Sequence, residues 1–257
     1  MSRGVVKKTA RRGMAATSRS LTIPCPVCRE VNDVLAVRCS ACGAFIRDRV
    51  PTLNFFTTLW NICETPVEGL IRVIRSEQKN YVYVLFSLGG LFAAVVTASL
   101  SRAGETSLHP AVLFAALYVL GLPGGIILGT VFSFVLDILI RRGRIRRIPF
   151  RTVSAVAAWS FAPYSVMSAF LVPVLFALFG KHLFAWDPGP WSLKPGPFWV
   201  VSTLLGAAVL ASFLLTARGV SLLGVGVQRA VASVFGALVI ALLLVAGASV
   251  CVTLLVV

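Results

Sequence analysis

Acidic residues are scarce in this chain. Asp and Glu number 9 against 24 Lys and Arg, only 13% of the 257 residues are charged, and His occurs twice. Ordinary globular domains carry roughly 25% charge. With 58% hydrophobic residues and a mean hydropathy of +0.90, a soluble fold is excluded. The shortage of polar groups also leaves no catalytic set. His109 and His182 stand alone between apolar runs, no pair of histidines shares a helix face, and no grouping of Ser, His and carboxylate is visible. The chain therefore reads as non-enzymatic. Residues 1–50 have a charged start but no apolar core of the length a secretory signal needs, and Met14 is an alternative initiator.

What is present is arranged around Arg141 to Arg151, which carries six arginines and no acid between two long apolar blocks. Charge is costly in hydrocarbon and Lys and Arg resist translocation, so this run is expected inside and orients the flanking spans. A span needs ~20 apolar residues. Five are expected, over 81–100, 111–140, 152–179, 198–216 and 230–257, with the amino end inside and the carboxy end outside. The second is too long for one straight crossing and too short for two, so it reads as one tilted or kinked helix bent at Pro123 and Gly124. In this topology 21 of the 24 basic residues lie inside. The net charge of +15 then reports topology and contact with anionic lipid, not nucleic-acid binding.

Before the spans, four cysteines occur as Cys25-Pro-Val-Cys28 and Cys39-Ser-Ala-Cys42-Gly43. Each C-x2-C turn aims two thiolates at one point, and two such turns complete a tetrahedral zinc site. Four thiolates leave no open position, so the zinc is expected to be structural, one per chain. So small a unit cannot fold by burial alone and draws its folding energy from the metal. A short hairpin is expected between the pairs, over Arg29 to Arg38, with Val34, Leu35 and Val37 as its apolar contribution. Disulfides are the competing reading, disfavoured in a reducing cytoplasm.

The expected order of domains is a basic disordered tail at 1–20, the zinc ribbon at 21–50, an amphipathic segment at 51–80 and the five-helix region at 81–257. In the amphipathic segment Val67, Leu70, Ile71 and Ile74 share one helical face, and Phe55, Phe56, Leu59, Trp60 and Ile62 form an aromatic patch before it. Such pieces either lie flat at the bilayer interface or cover the bundle. Gly121, Gly125 and Gly129 clear one strip of the second span for close approach by another helix, from the same chain or a second copy. Asp137 is the only charge in that span. Near the inner boundary it is expected to pair locally.

The order of features resembles the Yip domain family, named for Ypt and Rab interaction. The resemblance rests on Leu59-Trp60 through Pro66 to Ile74, on five spans, and on a basic turn leading into Phe150-Arg-Thr-Val-Ser-Ala-Val-Ala-Ala-Trp-Ser-Phe-Ala-Pro163-Tyr164. It covers about Pro51 to Val257. Eukaryotic members act in vesicle traffic through Rab GTPases, using an acidic cytosolic segment with a tyrosine motif. Here the cysteine ribbon stands in that segment's place, which implies a bacterial branch in the cytoplasmic membrane. That branch implies no particular activity; with no catalytic set and few polar groups in the spans, the expected function is a membrane scaffold whose ribbon recruits a cytosolic protein. A small solute or ion transporter is the alternative.

Overall fold

The computed structural model describes residues 22–33, 36–46, 52–106, 109–141 and 148–256, without the side chains at 244, 245 and 248–256. The tail at 1–20, Val34, Leu35, Arg47, Arg49 and most of the arginine run lie outside the described residues. The chain divides into two compact units, Met1–Asp48 and Arg49–Val257.

In the first unit β1 (Thr22–Pro24) pairs antiparallel with β2 (Val31–Asp33), in the register Thr22 to Asp33. The expected hairpin is displaced: β2 lies between the two cysteine pairs, but its partner β1 precedes the first pair, so the strands flank Cys25 and Cys28. The C-x2-C turn is itself the chain reversal, so the strands pair across it. A bridge between Arg38 and Phe45 flanks the second pair in the same way.

The second unit is helical. α1 (Phe55–Glu64) starts where Asn54 Oδ1 accepts from the Thr57 amide at 3.2 Å. α2 (Pro66–Arg75) opens on Pro66 and Glu68 and closes on Arg72 and Arg75, the charge order that suits a helix dipole. Gly69 lies against Ile62, which lets α1 and α2 fold tightly on each other.

Four helices are long and apolar enough to cross a membrane: α3 (Val82–Leu100), α4 (Pro110–Arg141), α6 (Ala162–Phe179) with its extension to Phe184, and α8 (Pro195–Leu222). α5 (Phe150–Ser160) and the short α7 (Pro190–Leu193) lie between them, and α9 (Val227–Val256) ends the chain. α9 is apolar over Val227–Leu243, and among the described residues four helices have the length and composition to cross a membrane, where five spans are expected.

α4 is a single helix with Pro123 inside it, as expected. The third expected span is not one helix. Pro163 cannot donate to the Trp159 carbonyl, and the chain breaks at Phe161 into α5 and α6. Every residue of α5 from Val153 to Ser160 is buried, so this segment is core, and the helix long and apolar enough to cross begins only at Ala162. The gap between the expected fourth and fifth spans, 217–229, shrinks to 223–226 because α8 runs on to Leu222, and Gly224 turns the chain at φ 85°.

The glycine strip packs within the chain. A Cβ on Gly90 of α3 would overlap the backbone of Gly121 and Gly125 in α4, and one on Gly129 would enter the Phe86 ring. These two helices meet at backbone distance, where only glycine fits. Ser168 Oγ donates to the Leu88 carbonyl at 2.8 Å and Tyr164 Oη to that of Gly89 at 3.3 Å, fastening α6 to α3. At the far end of α3, Trp186 Nε1 donates to Ser99 O at 2.9 Å and the Arg102 guanidinium stacks on the same indole.

The amphipathic face of α2 is covered by the bundle. Leu70 and Val73 are fully buried, and Leu70 meets Val156 of α5 at Gly219 of α8. In α1 the aromatic patch divides: Ile62 is buried, whereas Phe56 and Trp60 remain 78% and 68% exposed.

Candidate metal centre

The two cysteine turns are built alike. The Arg29 amide donates to the Cys25 carbonyl and the Gly43 amide to the Cys39 carbonyl, both at 3.0 Å. The residue after each pair takes positive φ, 60° at Arg29 and 71° at Gly43. Gly43 does so without strain, whereas Arg29 carries a Cβ in a region that L-residues seldom occupy. The Val27 amide donates to Cys25 Sγ and the Ala41 amide to Cys39 Sγ, each at 3.4 Å. In each pair the first cysteine is buried and the second exposed.

All four sulfurs, of Cys25, Cys28, Cys39 and Cys42, lie within 4.8 Å of one another. Cys25 Sγ stands 3.7 Å from Cys42 Sγ, and Cys28 Sγ 3.4 Å from Cys39 Sγ. No disulfide forms among them. Metal–thiolate bonds of ~2.3 Å in a tetrahedron put neighbouring sulfurs ~3.8 Å apart, against ~2.05 Å in a disulfide. The arrangement therefore fits one soft tetrahedral cation.

Asn32 ties the turns together. It is buried in β2, its Nδ2 donates to Glu30 O at 2.7 Å and to Cys39 Sγ at 3.5 Å, and its Oδ1 accepts from the Ser40 amide at 2.9 Å. Sequence reasoning passed over it, because an Asn between two cysteine pairs reads as a turn residue. Amide donors to a ligand sulfur stabilise thiolate and orient it.

The thiols differ in acidity. The Cys42 amide, with those of Ala41 and the neighbouring Cys28 and Asn32 side chains, holds Cys39 at about 6 against burial. At Cys28 the Glu30 amide favours the thiolate, but Cys39, burial and the remaining thiols outweigh it and push the group to about 12. Cys25 is lowered, chiefly by the Cys28 amide. Metal binding to such a cluster would release the protons that these thiols hold.

The other candidates are not brought together. His109 accepts the Ala111 amide on Nδ1 at 3.2 Å, and Cys63 is exposed on α1, outside the cluster. Asp137 is 2% exposed and takes Arg141 Nε and Nη2 on one oxygen, both at 2.8 Å, the local pairing expected from their spacing. No protein-family model, curated protein or solved structure matches this chain.

Proposed function

We propose that the chain is a non-enzymatic membrane scaffold of the Yip-like type, crossing the bilayer five times, whose zinc ribbon recruits a cytosolic protein. The observation that carries the reading is the convergence of Cys25, Cys28, Cys39 and Cys42 on one point. Zinc held by four thiolates keeps no position for substrate, so it serves to hold a surface rigid. That surface offers Val27, Val31 and Phe45, all large, apolar and exposed. They stand among the charges of Arg29, Glu30, Asp33 and Arg38, with Arg38 stacked on the Phe45 ring at 4.6 Å. Exposed apolar groups ringed by charge of both signs suit a protein partner better than lipid or nucleic acid. The spans support the same reading, since the buried acid Asp137 is already engaged by Arg141.

A photo-crosslinking residue at Phe45, in cells, should trap one discrete cytosolic protein, and Cys25→Ser with Cys28→Ser should abolish the product. Substrate-specific flux through the reconstituted chain, persisting without residues 1–48 and falling in Asp137→Asn, would replace the scaffold by a transporter.

A further inference from the structure

Three cavities, of about 160, 390 and 460 Å³, are walled by apolar side chains of the bundle. A fourth, of about 550 Å³, has different chemistry. It opens between the α2–α3 connection and the first turn of α5, lined by Gln78, Lys79, Asn80 and Tyr83 on one side and by Arg151 and Thr152 on the other. Val82, where span α3 begins, also borders it, so the cavity sits at the end of a crossing helix, where headgroups meet hydrocarbon.

Lys79 is half-buried, and its ammonium donates to Val73 O at 2.6 Å and Ile74 O at 2.8 Å and stands 3.4 Å from Ser76 Oγ. Every one of these partners is neutral. They anchor the cation on the last carbonyls of α2 without cancelling its charge. Its burial shows in its acidity, which desolvation brings down to about 8. A fixed, partly desolvated cation in a polar cavity favours an anion strongly. Arg151, exposed across the cavity, adds a guanidinium whose fork matches phosphate oxygens.

We propose that this cavity binds a phosphate group, with Lys79 as the fixed charge and Arg151 as the arm that closes on it. Two sources share that chemistry, an anionic phospholipid and a soluble phosphate. Glu77, which also lines the cavity, repels a dianionic phosphate more than a singly charged phosphodiester, and this weighs toward the lipid.

The test uses the purified full chain in neutral detergent. Phosphatidylglycerol and phosphatidylcholine are compared by native mass spectrometry, with inorganic phosphate as competitor. Phosphatidylglycerol is expected to bind at least tenfold more tightly than phosphatidylcholine. Arg151→Gln and Lys79→Gln should each weaken it fivefold or more, while Lys79→Arg retains it and Lys181→Gln, an exposed cation in another segment, leaves it unchanged. Displacement by millimolar inorganic phosphate, with the same dependence on Lys79 and Arg151, would keep the site and assign it to a soluble ligand. If Lys79→Gln loses its fold with its α2 cap, Arg151→Gln decides, because Arg151 is exposed. Equal binding of the two lipids, or binding indifferent to Arg151→Gln, overturns the proposal.

Discussion

The unit spanning Met1–Asp48 and the unit spanning Arg49–Val257 obtain order from different sources. Among the described residues the first has a core of Cys25, Cys39 and Ile46, with Ile23, Ala36 and Ala44 leaning on it, far too little apolar surface to offset chain entropy. Two of those core residues belong to the four-cysteine cluster, so core and candidate site are one object. The second has an extensive core running from Leu53 to Ala237, and α3 meets α4 backbone to backbone at Gly90 and Gly125. Between helices in lipid the hydrophobic drive is weak, and close approach supplies the attraction. Metal chemistry should therefore unfold one unit and leave the other intact, and steric change should do the reverse.

The sharpest break of that symmetry is Cys25→Ser with Cys28→Ser. Structural zinc contributes on the order of 10 kcal/mol to small four-ligand domains. Elemental analysis should fall from about one zinc per chain to none, whereas Cys63→Ser should change nothing. The complementary break is Gly90→Leu. Forcing a side chain between α3 and α4 should cost about 3 kcal/mol or more in thermal or detergent unfolding of the bundle, with the zinc content unchanged.

Asn32→Ala sharpens the comparison inside the ribbon. Losing the donor to Cys39 and the tie to Ser40 should weaken metal affinity about 10- to 100-fold in a chelator competition, with bundle unfolding unmoved. The smallest effect concerns pH. The Lys79 amine is depressed to about 8 from 10.5, so between those values the unfolded chain holds a proton that the folded chain has released. Folded stability should then rise as pH climbs from about 8 to 10.5. Partial exposure of Lys79 limits the gain to about 1 kcal/mol, and Lys79→Gln should flatten the slope in a pH series of unfolding curves.

The parts of this molecule that were legible in the sequence are those where residue type alone decides. Cysteine spacing located the sulfur cluster, apolar runs located α3, α4, α6 and α8, and the spacing of Gly121, Gly125 and Gly129 marked the strip that meets α3. The misses arose where two rules competed. Residues 152–179 are apolar enough for one span, but Pro163 ends α5 and leaves a helix buried over Val153 to Ser160, a distinction hydropathy does not draw. The stripe on α2 has the period of an interfacial helix, yet whether lipid or α5 and α8 covers it depends on contacts distant in sequence. Asn32 was hidden because its role comes from a hydrogen bond to Cys39, seven residues away. Nothing in the sequence sets Lys79 apart from the other cations around α2, and only its bonds to Val73 and Ile74 show it turned inward.

Hydrogen exchange on the full chain in lipid nanodiscs, with and without a zinc chelator, tests the division between the units most directly. The account predicts that chelation removes protection from amides such as those of Cys25, Arg29, Cys39 and Gly43, which close the two cysteine turns, and leaves protection in α3 to α8 unchanged. Ribbon amides that stay protected after the metal has been removed would contradict it.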